Sequence, residues 1–382
     1  MSAPPDPTRV RYTNDRPTTA VDTMTLPAGY YTDPEYFRRE LETLHFDMWL
    51  YAGRAEDVPG PGSFVVREVG NASILIVRDE AGVVRAFHNV CRHRGTLLCK
   101  EAEGKHHGAI TCKYHAWTYR LDGTLRKATH MDKVEGFLES DWPLHSIHLA
   151  EWDGNLFVNL AERPTSFVEH LGGLDVRFAN WRMGELRTVA RRVYRLRANW
   201  NLVVQNYHEC LHCPIAHPQL NKITHYLSGD NEPPQPTWLG ARMDLLPGFR
   251  TLSNRPQDPP RAPLPGLTDE QRRHVYYYAL LPNLLINPHP DYVVTFMFNP
   301  IAVDRTDITC HWLMHPDEIA RPGFDPSDAV EFWDLTNRQD WELSDLAQLG
   351  IASRGYRPGP YSNREELLTA LDRWVVDRVG AL

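Results

Sequence analysis

Hydrophobic and polar positions change their period three times along the chain. Residues 1–32 show no apolar period and are polar and proline-rich, which predicts an arm lying on the surface. Asp33-Pro34 follows as an N-cap with proline at the first helical position. Phe37, Leu41, Leu44 and Met48 then recur at helical spacing and predict a first amphipathic helix. From about residue 50 to 160 the pattern becomes one of short strands. Runs at 63–69, 73–78 and 83–88 are β-branched or aromatic and are parted by Gly70-Asn71 and Ala81-Gly82. Asp122-Gly123, after the run 119–121, signals a hairpin, and 156–160 reads as a closing strand. A small all-β domain is expected, with two longer loops at 91–96 and 112–117.

The remainder is mixed. Residues 200–212 are helical in pattern, whereas 275–286, 292–299 and 308–314 are strand-like. Residues 327–348 predict a helix, and Asn363 with Glu366 predicts a capping box for a last helix bearing Leu367, Leu371 and Trp374. Proline-rich stretches at 232–236 and 256–265 read as irregular connections. No internal repeat is present. A length of 382 residues sets an expectation of about two or three domains.

Composition narrows the function classes. The chain is 42% hydrophobic and 24% charged, as soluble globular proteins are. A formal charge of -8 argues against nucleic acid as a partner, because phosphate binding needs a dense positive footprint. No stretch reaches the roughly 18 uncharged apolar residues of a membrane span, so no membrane association is expected. The N-terminus lacks a charged region followed by an apolar run, so the expected location is cytoplasmic. The six cysteines, Cys91, Cys99, Cys112, Cys210, Cys213 and Cys310, are too few for a disulfide framework, and several adjoin histidines, which suits metal binding.

Two constellations carry chemistry. The first is Cys91-Arg92-His93 and, after eighteen intervening residues, Cys112-Lys113-Tyr114-His115. Each loop offers one thiolate and one imidazole at short range. Two iron ions can divide such a set, with both cysteines on one iron and both histidines on the other. A Cys2His2 zinc site is the alternative, although Cys-x-His is tighter than zinc hairpins generally use. The second constellation lies in residues 199–218. On a continuous helix Gln205, Glu209 and His212 would share a face, and Pro214 would end the helix so that His217 could return to the same ion. Two imidazoles and one carboxylate form the facial triad of non-haem Fe(II) oxygenases. A pair of helix-end histidines capping carbonyls is the plainer reading. Cys210 and Cys213 read as packing residues.

Cys91-Arg92-His93-Arg94-Gly95 and Cys112-Lys113-Tyr114-His115-Ala116-Trp117 resemble the cluster loops of Rieske proteins, and 199–218 resembles the Glu-x2-His-x4-His segment of Rieske non-haem iron oxygenase α subunits. A finer likeness is to the glycine betaine, choline and carnitine branch. It lies in Leu281-Pro282-Asn283-Leu284, His289-Pro290-Asp291-Tyr292 and the segment ending Arg357-Pro358-Gly359-Pro360-Tyr361. The resemblance implies an α+β chain. A small all-β Rieske domain at 45–165 would be joined to a catalytic domain at 166–382, an antiparallel sheet flanked by helices. The arm and helix of 1–44 would pack on the catalytic domain.

It further implies a [2Fe-2S] cluster on Cys91, His93, Cys112 and His115. A mononuclear Fe(II) would sit on His212, His217 and a downstream carboxylate. Asp334, Asp340, Glu342 and Asp345 are available for that third ligand; 337–342 resembles the ligand-bearing segment of the family, and Asp340 is the residue expected. Glu209 would not bind iron but would link His212 to a cluster histidine, His115, of a neighbouring chain. Electrons would come from NAD(P)H through a separate flavin or iron-sulfur reductase, and the chains would form a homotrimer or a higher ring. The implied reaction hydroxylates a small substrate with O2, and in this branch the substrate is a quaternary ammonium or N-methyl compound that is oxidatively demethylated. Tyr276, Tyr277, Tyr278, Tyr292 and Trp312 are candidates for the aromatic faces such a cation needs. The competing expectations are an aromatic-ring hydroxylating oxygenase, or an iron-sulfur electron carrier or zinc-stabilised binding protein without oxygen chemistry.

Overall fold

The computed structural model describes residues 23–255 and 260–382, in two compact units. One unit runs from His45 to Phe167; the other combines Val168–Leu382 with the described residues up to Leu44.

The first unit is all β. Strands β1 (Leu50–Arg54), β2 (Ser63–Val69), β3 (Ala72–Arg78), β4 (Val84–His88), β5 (Glu103–Lys105), β6 (Ile110–Thr111), β7 (Thr118–Tyr119), β8 (Leu125–Lys127), β9 (Ser146–Trp152) and β10 (Asn155–Asn159) make two antiparallel sheets. Seven strands run in the order β1-β10-β9-β4-β3-β2-β5, and three in the order β6-β7-β8. β3 is buried on both faces. Its alternation sends Ile74 and Ile76 into one core and Leu75 and Val77 into another, the latter shared with Cys91, Cys99 and Cys112. Burying each such side chain stabilises the unit by about 1.5–3 kcal/mol. The hairpin at Asp122-Gly123 forms between β7 and β8, with Gly123 at φ 87°. A Cβ there would lie 2.4 Å from the Phe87 ring, so both the turn and the packing require glycine.

The second unit opens with α1 (Pro34–Glu40), whose Asp33 side chain accepts the Glu35 N–H. The helical spacing foreseen as far as Met48 stops short, because the last turn, Leu41–His45, widens to π geometry. The surface arm foreseen for 1–32 falls partly on residues 1–22, which lie outside the described residues. Its remainder is anchored: Tyr31 is 1% exposed, and Met24 bridges to Pro360.

The sheet of this unit has strands β11 (Arg187–Leu196), β12 (Asp230–Asn231), β13 (Trp238–Asp244), β14 (His274–Leu280), β15 (Leu284–Pro288), β16 (Tyr292–Ala302) and β17 (Arg305–Met314). They are antiparallel in the order β11-β17-β16-β15-β14-β13-β12. Its longer helices after α1 are α2 (Trp200–Tyr207), α3 (Ser327–Ile351) and α4 (Glu366–Val379). Period two on β14 puts Tyr277 on the face toward Tyr207 of α2, while Tyr276 and Tyr278 pack on Phe178 and, for Tyr276, Trp181. Glu365, and not Asn363, is the N-cap of α4, and its side chain accepts the Ser362 N–H.

The helix that precedes the second constellation also departs from expectation. α2 ends at Tyr207, not at residue 212, with His208 as its C-cap. The Glu209 carboxylate takes the N–H of Leu211, a local side-chain bond that competes with the helical ladder. Gln205 therefore does not share a face with Glu209 and His212. It points into a buried network, donating to Asp372 Oδ1 at 2.7 Å and Tyr31 Oη at 2.9 Å. Pro214 does not end a helix either; it sits in the first turn of a short one, Cys213–Ala216.

Candidate metal centres

In the all-β unit the two loops repeat one backbone pattern. Cys91 N–H donates to Thr96 O and Cys91 O accepts from Gly95; Cys112 N–H donates to Trp117 O and Cys112 O accepts from Ala116. The fifth residue of each loop has positive φ, 72° at Gly95 and 55° at Ala116. Both cysteines are buried free thiols. Burial raises the Cys91 thiol above its ordinary range, against a 3.4 Å contact with the Tyr119 hydroxyl, which also accepts the Arg92 N–H. The histidines lie outward. His93 is exposed, its ring 4.7 Å from that of His115 and stacked on Trp117 at 4.8 Å and 8°. Two buried thiols beneath two outer imidazoles suit a cluster with a sulfur-held and a nitrogen-held iron. Tyr119 is a contributor that sequence reasoning missed; its only signal was a place in a strand pattern.

Of the neighbouring histidines, His106 stacks on Phe64 and reaches Cys99 Sγ at 3.2 Å, a packing role.

In the second unit three side chains converge. Asp340 Oδ1, on α3, lies 3.1 Å from His212 Nε2 and 2.7 Å from His217 Nε2. Each imidazole is held from behind. His212 Nδ1–H donates to Glu209 Oε1 at 2.5 Å, and His217 Nδ1–H donates to Gln339 Oε1 at 2.8 Å. Such bonds direct both Nε2 atoms at one point and raise their basicity toward a metal. Burial would lower the His212 pKa, but Asp340 and Glu209 outweigh it and hold it at about 10. Burial likewise opposes ionisation of Asp340, yet the two imidazoles pull its carboxyl below the usual range. A dication fits this donor set of two imidazole nitrogens and one carboxylate oxygen.

The other acids considered are engaged elsewhere. Asp334 accepts from Tyr194 and Arg338, Asp345 accepts the Arg197 N–H, and Glu342 lies with Asp345 in a shallow outer groove. Gln339 was not singled out from sequence, where it reads as one more polar residue on a long helix. Cys210 and Cys213, expected as packing residues, are joined in a disulfide around His212.

A cavity of about 110 Å³ adjoins these three side chains, lined by His212, His217, Asp340 and the aromatics Tyr207, Tyr226, Tyr277 and Trp333. Of the aromatics expected from sequence, Tyr277 alone lines it. Trp312 is wholly buried, and Tyr292 is tied to Leu252 O and Trp333 Nε1. His208 also lines the cavity. It is buried without a hydrogen-bond partner on either ring nitrogen, and burial depresses its pKa to about 3. No helix among the described residues is long and apolar enough to cross a membrane.

Residues 48–138 match the model of the Rieske [2Fe-2S] domain, and residues 183–381 match that of the ring hydroxylating alpha subunit catalytic domain. The chain is 32% identical over 374 residues to a glycine betaine monooxygenase oxygenase subunit of Chromohalobacter salexigens, covering 89% of this chain and 82% of the relative. It is 30% identical over 345 residues to a carnitine monooxygenase oxygenase subunit of Acinetobacter baumannii, covering 87% and 86%. Among solved structures it resembles the quaternary ammonium Rieske monooxygenase CntA in complex with L-carnitine. The TM-score is 0.79 at 25% identity, over 94% of this chain and 97% of that one.

Proposed function

The chain belongs to the Rieske non-haem iron oxygenases as an oxygenase α subunit, and from that premise we propose that it hydroxylates an N-methyl carbon of a small quaternary ammonium compound. The observation that carries this reading is the cavity beside His212, His217 and Asp340. A quaternary nitrogen neither donates nor accepts hydrogen bonds, and aromatic faces are the surfaces that hold it. Tyr207, Tyr226, Tyr277 and Trp333 supply four. About 110 Å³ is well below the roughly 300–1,000 Å³ of drug-sized pockets, which suits a trimethylammonium compound better than a fused-ring arene. The named relatives act on glycine betaine and carnitine, which both carry such a nitrogen.

On this reading Cys91 and Cys112 hold one iron of the cluster and His93 and His115 the other. His212, His217 and Asp340 hold the mononuclear iron. When bound, these groups store and deliver electrons and activate O2. One O2, two electrons and two protons convert an N-methyl group to N-hydroxymethyl and water, and the product releases formaldehyde. The chain's own part is to orient and exclude. The aromatic walls fix the methyl groups, Glu209 and Gln339 hold the imidazoles in one tautomer, and the buried part of the lining, His208, Leu220, Tyr277 and Trp333, limits the water beside the substrate. Glu209 Oε1 is engaged by His212 and Oε2 by the Leu211 N–H, and the lone pairs these bonds leave suit His115 of the partner subunit in a homotrimer. A separate reductase passes in the electrons of NAD(P)H.

The test is oxygen uptake with a surrogate reductase, with formaldehyde measured in parallel. Glycine betaine, carnitine or choline should drive uptake with about one formaldehyde per O2. Uptake driven by arenes alone would replace this reading with ring hydroxylation.

A further inference from the structure

Three side chains lining the iron-side cavity bear full charges away from the imidazoles: Glu209, Asp340 and Arg364. With Fe(II) bound, the ion's charge is met by the two carboxylates, and Arg364 is the one guanidinium or ammonium side chain among the lining residues. A purely cationic substrate then leaves the guanidinium without a role in binding. A zwitterion does not, because it can rest its quaternary nitrogen on the aromatic faces and turn a carboxylate toward the guanidinium. We propose that Arg364 determines specificity by binding a substrate carboxylate, so that the substrate class is a trimethylammonium carboxylate and not an amino alcohol. This deepens the quaternary ammonium reading and rests on it.

The backbone supports a fixed spacing between the two ends of such a substrate. Arg364 lies in the short segment before α4, where its N–H donates to Ser362 Oγ at 3.3 Å. Tyr361, three residues earlier, donates its N–H to Thr23 O at 2.6 Å and its hydroxyl to Asp372 Oδ2 at 3.0 Å. The other oxygen of Asp372 accepts from Gln205 on α2, two residues before Tyr207. A continuous buried hydrogen-bond chain therefore ties the segment carrying Arg364 to the helix carrying an aromatic wall. A guanidinium has five N–H donors in a planar fork, so it can take a carboxylate through two of them while keeping another contact. Lysine offers a point charge without that fork.

The experiment compares glycine betaine with choline, which keeps the trimethylammonium group and replaces the carboxylate with an alcohol. Kinetics of the loaded enzyme with a surrogate reductase are run on wild type, Arg364→Gln and Arg364→Lys, with cluster absorbance and a melting curve to establish folding. Arg364→Gln should raise KM for glycine betaine about 30-fold while kcat changes little, the size expected for a charge-assisted hydrogen bond. It should lower KM for choline, and Arg364→Lys should recover part of the betaine affinity. Calorimetric binding of both compounds without turnover should follow the same inversion. A merely structural arginine would move both substrates in the same direction. Equal shifts for the two, or none, overturn the assignment. A wild type that accepts choline but not glycine betaine overturns it while leaving the quaternary ammonium reading standing; binding of neither overturns both.

Discussion

In the all-β unit, four donors between Cys91 and His115 come from two loops with the same hydrogen-bond frame, cysteines beneath and imidazoles outward. In the catalytic unit, three donors come from a loop and a helix, with His212 and Asp340 separated by 128 residues. The first region aims its candidate donors through backbone geometry, down to the positive φ shared by Gly95 and Ala116. The second aims them through side chains that bond the far nitrogen of each imidazole, a charged one at His212 and a neutral one at His217. Replacing a residue behind a ligand should therefore act on metal affinity and electron flow in the catalytic unit, but on folding in the cluster unit.

The largest effect should come from separating the two. Asp340→Ala should lower iron from about three to about two per chain, keep the cluster absorbance and cut turnover more than about 1,000-fold. Cys112→Ser should do the reverse, leaving about one iron in a colourless protein. Metal analysis with absorbance and EPR checks both, and loss of both centres in either variant would mean that the regions do not assemble independently. Asp334→Ala, which removes only contacts to Tyr194 and Arg338, should keep all the iron.

Next in size is Glu209→Gln. It keeps the shape and weakens the hydrogen bond to His212, so both centres should fill while reoxidation of the reduced cluster slows about 10–100-fold, read by stopped flow with substrate and O2. Reoxidation at the wild-type rate would remove Glu209 from the electron route.

Gln339→Leu should act more gently. His217 loses the acceptor that fixes its tautomer, and mononuclear iron should bind about 10-fold more weakly with the cluster untouched. A competition titration with a chelator measures it; affinity equal to wild type would make the pairing incidental.

The smallest effect tests the matched loops. Gly95→Ala should cost about 1 kcal/mol by forcing a Cβ into positive φ with no neighbour to strike, and Ala116→Gly should recover a similar amount. Denaturant unfolding of the cluster-loaded protein should show opposite signs. Equal signs would break the equivalence of the two loops.

Legibility followed the same divide. The cluster donors lie in short, unusual spacings that need no knowledge of distant chain, and the strands around them have plain period-two patterns. β11 and β13 were not read as strands, because β11 is largely exposed and rich in arginine and so carries no clear apolar alternation. The convergence of His212, His217, Glu209 and Asp340 could be foreseen from sequence, but not the shape of the chain between them. A continuous helix through 200–212 was a fair reading of the spacing. The Glu209 side chain stops it by taking a backbone N–H, and that competition leaves no mark on periodicity. Gln339, Tyr207 and Trp333 owe their roles to tertiary approach alone, so nothing in their local sequence distinguished them.

The disulfide that encloses His212 has a consequence for which ion the site prefers. With Cys210 and Cys213 joined, neither sulfur is a thiolate, and the donors on offer are two imidazole nitrogens and a carboxylate oxygen, a set suited to Fe(II). Were the pair opened by a dithiol, Cys213 would present a soft donor within 3.9 Å of His212 Nε2. Copper(I) and zinc, which compete strongly for sulfur, would then gain on iron. The covalent link thus withholds two sulfurs from the donor set, and opening it should change which metals compete for the catalytic unit.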